Sequence, residues 1–179
     1  MAANERKRPA DPDRLAALPA RTGPRPTTTP TNPHTQLDQQ PADSSLTRRL
    51  AERLFALPGV QERESAISVP GARALWLDDS LTGGPPEAFL IGREFAHLHP
   101  GADHSLHAML PPDLAEEAVL AGWAEQHPVA RRGLIPANAV MLYAPRDDEE
   151  LDVVTGLVEA SYAFASTGGH RASPEPRGA

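Results

Sequence analysis

Hydrophobic residues in this chain fall into short blocks of two different periods, and the blocks are confined to its middle. From Ser44 onward, Leu46, Leu50, Leu54 and Leu57 recur at helical spacing behind a serine or Thr47 suited to capping, and Pro58-Gly59 closes the segment. Val60 to Val69 and Arg73 to Leu77 read as strands joined by a Pro70-Gly71 turn, and Gly83-Gly84-Pro85-Pro86 places a loop at 78–86. Glu87 to His99 predicts a strand interrupted at Gly92, and His104 to Leu110 predicts its partner across Pro100-Gly101-Ala102-Asp103. Pro111-Pro112-Asp113 opens a second helix that carries Leu114, Ala118, Val119 and Ala121 and stops at Gly122. An irregular stretch, 127–138, leads to a strand from Ala139 to Tyr143. The final helix has the strongest pattern. Asp147 and Glu150 form a capping box, and Leu151, Val154, Leu157, Val158, Tyr162 and Ala165 make one apolar stripe.

This order predicts a single α+β domain over 44–166, with a mainly antiparallel sheet and about three helices packed on one face. Outside it the pattern vanishes. Residues 1–43 contain eight prolines (Pro9, Pro12, Pro19, Pro24, Pro26, Pro30, Pro33 and Pro41) and the run Thr27-Thr28-Thr29-Pro30-Thr31. So little apolar surface cannot offset the entropy of ordering the chain, so 1–43 is expected to be a disordered tail, and 167–179 another. Up to Pro33 the tail carries six Lys/Arg against three Asp/Glu, a balance more typical of a solvated segment than of a docking arm.

Composition narrows the function classes. A length of 179 residues suits one domain, and a 40% hydrophobic content suits a packed one. The complete lack of cysteine excludes disulfides, thiolate nucleophiles and cysteine-ligated zinc. A formal net charge of −7 weighs against a nucleic-acid partner, since phosphate binding requires a basic face. No apolar run approaches the roughly 18 residues that span a bilayer, so no membrane partner is expected. The basic start Arg6-Lys7-Arg8 is followed by no apolar stretch, so it does not read as a secretory signal and a cytoplasmic location is the expectation. Oligomeric state is not legible.

Five of the seven histidines, His97, His99, His104, His107 and His127, fall within 31 residues. On one strand Phe95, His97 and His99 share a face; on the next, Ser105, His107 and Met109 do. With the loop at 100–104, His97 lies opposite His107 and His99 opposite Ser105, with Cβ atoms about 5 Å apart. A register slip of one residue would destroy this arrangement. Such a patch could supply a general base that titrates near neutrality. If the site is metallic, His97, His99 and His107 are the ligands. No Glu or Asp stands at an obvious fourth position, so the metal reading is the weaker one and no metal or other cofactor is assigned. The bland alternative is a solvated sheet face lined by histidines. Trp123 reads more readily as a packing anchor than as a substrate platform. Tyr143 and Arg146 flank Ala144-Pro145 at a strand end; Arg146 could clamp an anion or simply pair with Glu149 or Glu150. Gly83-Gly84 lacks the strand-to-helix setting of a phosphate loop.

The segments Arg93-Glu94-Phe95-Ala96-His97-Leu98-His99, Ser105-Leu106-His107, Gly122-Trp123, His127-Pro128 and Leu142-Tyr143-Ala144-Pro145-Arg146, followed by Val158-Glu159-Ala160-Ser161, together resemble the luciferase domain family. The resemblance covers residues 90–165, in order and with similar gaps. It implies chemistry in which a hydroxylated styryl-pyrone is oxidised by molecular oxygen, with a base forming an enolate. It therefore implies oxygen as co-substrate, His97, His99, His107 and His127 as candidates for the base, and Arg146 or Tyr143 as the group that stabilises negative charge. Ser105, Trp123 and Tyr143 are the substrate-binding candidates. His104 does not match a family histidine. Gly122-Trp123-Ala124 departs from the family's Gly-Trp-Gly, and the family's membrane-anchoring N-terminus has no counterpart here. The alanine-, arginine- and proline-rich composition resembles bacterial members, for which light emission is not expected. The resulting expectation is an oxygenase-type enzyme acting on an enolisable or phenolic small molecule; the alternative is a non-catalytic module that binds a small molecule or protein through the same histidine face.

Overall fold

The structure, a computed structural model, describes residues 18–166. Residues 1–17 and the expected tail at 167–179 lie outside the described residues. In chain order the elements are α1 (Ser45–Phe55), β1 (Val60–Glu64), β2 (Arg73–Leu77), β3 (Glu94–Leu98), β4 (Leu106–Met109), α2 (Pro112–Leu120), β5 (Ala124–Gln126), α3 (Pro128–Arg131), β6 (Ala139–Leu142) and α4 (Asp148–Ser166). The strands form one antiparallel sheet in the order β1-β2-β3-β4-β6-β5, as the α+β reading requires.

Alternation along the strands gives the sheet two different faces. The row Leu75, Ala96, Ala108, Val140 and the row Leu98, Leu106, Leu142, Ala124 face the main core. There they meet Leu50 and Leu54 of α1, Leu114 and Ala118 of α2, and Leu151, Val154, Leu157 and Val158 of α4. The three helices therefore bury their stripes against one face. Asp147 caps α4 by accepting the Glu150 amide through Oδ1 at 2.8 Å, as the capping box predicts. The α4 hydroxyl of Ser161 donates to the Met109 carbonyl at 2.7 Å, tying the helix to the end of β4.

The opposite face carries the row Ala74, His97, His107, Met141, Glu125, which crosses five strands. A bulge in β3 adds Glu94 to this face. Trp76 pairs with Glu94 and Leu75 with Ala96, so Phe95 is the extra residue. Without it Glu94 and His97, three apart, would point to opposite sides; with it they point to the same side. Phe95 instead enters the core, 6.0 Å from the Tyr162 ring.

Residues 18–43 correct the expectation of a tail running to 43. They lie along the domain, with Arg21, His34 and Gln36 buried. The contacts are polar. The Trp123 indole donates to the Pro19 carbonyl at 2.6 Å, the Arg21 amide to the Ala121 carbonyl at 2.8 Å, and the Ala144 amide to Gln36 Oε1 at 2.9 Å. Backbone and amide groups dock this segment without an apolar stripe, so hydrophobic periodicity gave no signal for it. The short β5 and α3 were also unpredicted, because three or four residues are too few to display a period.

Candidate functional site

The 100–104 turn sets the register on which the site depends. His97 lies opposite His107, and the His99 amide donates to the Ser105 carbonyl at 3.0 Å, as the loop length predicts. Gly101, at φ +70°, makes this tight return possible. His97 Nε2 is 3.0 Å and His99 Nε2 is 3.2 Å from the same atom, Nδ1 of His107. The ring of His127, from the stretch between β5 and α3, stands 4.6 Å from that of His107. A fifth ring comes from the N-terminal segment: His34 Nδ1 is 3.1 Å from His107 Nε2, and the two rings stack at 5.3 Å. His107 is thus the hub of five imidazoles. His34, His97, His99 and His107 are buried, and His127 is half-buried at the margin.

A carboxylate stands behind each of three outer rings. His97 Nδ1 donates to Glu94 Oε1 at 2.7 Å. His99 Nδ1 lies 2.7 Å from Asp103 Oδ2, and Ser105 Oγ, 3.0 Å from the same nitrogen, donates to Asp103 Oδ1 at 2.6 Å. His34 Nε2 makes a short bond to Glu125 Oε1. Glu94, Asp103 and Glu125 therefore face the outward nitrogens of these rings, where they fix ring orientation and tautomer.

Burial disfavours the charged form of three of these rings, His97, His107 and His127. Desolvation, then repulsion among the neighbouring imidazoles, holds His107 well below the usual histidine range. His97 is lowered by the same desolvation, which Glu94 partly offsets. His127 is lowered to about 4, first by burial and then by His34 and His97. His97 and His107 thus each keep one lone pair at neutral pH, whereas that of His127 Nδ1 already accepts the Val129 amide at 3.1 Å.

The other candidates are elsewhere. Arg146 makes a bidentate pair with Glu150, donates to the Thr22 carbonyl at 2.8 Å and approaches Gln39 Oε1 at 3.3 Å. Of the two readings open for it, the structure shows the ion pair, which here also fastens the N-terminal segment to α4. Trp123 is a packing anchor at 4% exposure. Tyr143 is buried, with the Arg21 guanidinium 5.5 Å from its ring, and burial raises its phenol above the ordinary range. Ser105 serves the histidines. The side chain of His104, at φ +59°, pairs with Thr47 on α1 instead of joining the hub. His34 was missed because it lies in a stretch without period, flanked by Pro33 and Thr35.

The family profile of the Luciferase domain matches residues 92–161, the segment that supplies four of the five rings. Residues 92–161 are thus similar in sequence to the luciferase domain family. Proteins named luciferase from Armillaria ostoyae and Armillaria mellea are 32% identical to it over 166 residues, covering 84% of this chain and 62% of theirs. The luciferase of Neonothopanus nambi is likewise 32% identical, with 61% of its length covered. The chain therefore spans about three fifths of these curated relatives. No solved structure matches it significantly. The luciferase domain accounts for His97, His99, His107 and His127, whereas His34 lies outside the profile match. Among the described residues, no helix is long and apolar enough to cross a membrane.

Proposed function

We propose that this luciferase-domain protein is an enzyme that takes a proton from an enolisable or phenolic small molecule and exposes the resulting electron-rich anion to molecular oxygen. The observation that carries this reading is the convergence of imidazoles on His107, with the outer rings oriented by their own partners. A base must be unprotonated at working pH and fixed in direction; the burial of His97 and His107 supports the first condition, and the contacts with Glu94, Asp103 and Glu125 support the second. Relatives named luciferase support the oxygen-dependent reaction class. His127, half-buried at the margin, is where a substrate would first meet the cluster. Arg146 is assigned no catalytic role, because Glu150 and Thr22 occupy its donors.

The test is oxygen uptake by the purified chain against a panel of hydroxylated pyrones and phenols. His107→Gln and His97→Gln, checked for native circular dichroism, are expected to lower the rate at least about a hundredfold, the usual contribution of a positioned base. Uptake that survives both substitutions would refute histidine catalysis. Ligand binding without uptake would favour the alternative, a small-molecule binding module on the same face.

A further inference from the structure

We propose that His97, His99 and His107 form a three-nitrogen site for a divalent transition-metal ion, presenting Nε2, Nε2 and Nδ1 respectively. The inference goes beyond the proposed function at the same cluster: a nitrogen that held an ion would not itself take the substrate's proton, so the two readings use these three lone pairs differently, and the test reads metal content and so can fail separately from turnover.

The argument begins with a count of protons. A carboxylate only accepts, so the nitrogen facing it carries the hydrogen. Nδ1 of His97 faces Glu94, Nδ1 of His99 faces Asp103, and Nε2 of His34 faces Glu125. With one proton per ring, His34 Nδ1 is bare and takes the hydrogen of His107 Nε2. This leaves Nδ1 of His107 bare as well. It looks onto the bare Nε2 atoms of His97 and His99 at 3.0 and 3.2 Å, with no hydrogen left to lie between them. Three lone pairs aimed at each other repel unless a cation sits among them.

The spacing fits a metal ion. Bonds of about 2.0–2.1 Å at tetrahedral angles put ligand nitrogens about 3.3 Å apart, near the distances found. One nitrogen from each of the three residues lies within 4.8 Å of the others. Charge points the same way. Glu94 is fully buried, one of its oxygens has no partner, and among the described residues neither it nor Asp103 pairs with an arginine or lysine. Buried carboxylates without a cation are costly, and a dication behind the imidazoles would balance them. Imidazole donors with carboxylates behind them favour a borderline ion of the zinc or ferrous class. The other set that converges, His34, His107 and His127, is a poorer site. His34 Nδ1 is already taken by His107, and His127 Nδ1 accepts the Val129 amide at 3.1 Å, which leaves the proton on His127 Nε2.

The full chain, stripped with chelator, is to be titrated with cobalt(II) and zinc(II), following metal content and the visible absorption of low-coordinate cobalt. One equivalent per chain is expected. His99→Asn is expected to abolish the signal, His127→Gln to retain it, and Glu94→Gln to weaken binding about 10–100-fold by freeing the His97 ring. The proposal is overturned if the wild-type chain takes up no metal at about tenth-millimolar concentration, the regime of weak sites. It is equally overturned if His99→Asn binds as wild type, or if His127→Gln loses the ion. Should His99→Asn fail to fold, the wild-type titration and Glu94→Gln decide.

Discussion

Arg146→Ala separates a structural arginine from an anion-binding one. In the folded chain its guanidinium holds both oxygens of Glu150, the Thr22 carbonyl and Gln39 Oε1. Glu150 is nearly buried, with its side chain at 6% exposure, and the Arg146 side chain is at 28%. Removing the arginine leaves a largely desolvated carboxylate. A wholly buried broken pair costs about 3–5 kcal/mol. Two features reduce that figure here: Arg146 keeps some solvent contact, and Arg21 Nε stands 3.6 Å from Glu150 Oε1 as a second cation. A loss of about 2 kcal/mol is therefore expected, the scale of one or two charge-assisted hydrogen bonds. Urea unfolding followed by circular dichroism should show the midpoint falling by about 1 M, given an m-value of about 2 kcal/mol/M. Because Thr22 is released too, limited proteolysis should cut within residues 18–30 faster than in wild type, while the α4 core stays protected. A midpoint unchanged within error, with turnover lost, would refute the structural assignment and return Arg146 to the site.

The metal-free protein should lose stability as pH falls from about 6.5 toward 4. The unfolded His127 takes its proton near 6.5 and the folded one only near 4, so in that window the unfolded chain binds more protons. Unscreened, that shift amounts to about 3 kcal/mol, and partial exposure reduces it to about 1–2 kcal/mol. His97 and His107 act in the same direction, and flat urea midpoints between pH 7 and pH 5 would contradict the lowering of these three histidines. Gly84→Ala should destabilise the loop that docks on α4, since a Cβ there would lie 2.2 Å from the Phe164 carbonyl oxygen, a clash that only backbone movement relieves. Overpacking of this kind costs about 1–3 kcal/mol, readable as a lower melting temperature; an unchanged one would mean that the loop is not held where it lies.

Much of the fold and half of the site were legible in the sequence because they rest on local geometry. Period 3.6 identified α1, α2 and α4 through Leu50, Leu114 and Leu151, and period 2 with a turn of defined length set His97 against His107. Both signals concern residues close together along the chain, where backbone geometry dictates which side chains share a face. Only the tertiary structure decided the rest. His34 reaches His107 from 73 residues away through polar docking that leaves no hydrophobic pattern, and Glu125 arrives from a strand only three residues long. Glu94 joins the imidazoles because a bulge turns it to their side, and a bulge is a property of strand pairing rather than of either strand alone. The convergence of the rings, the carboxylates behind them and their burial exist only once distant segments have packed, so a linear pattern could name the histidines but not the contacts they share.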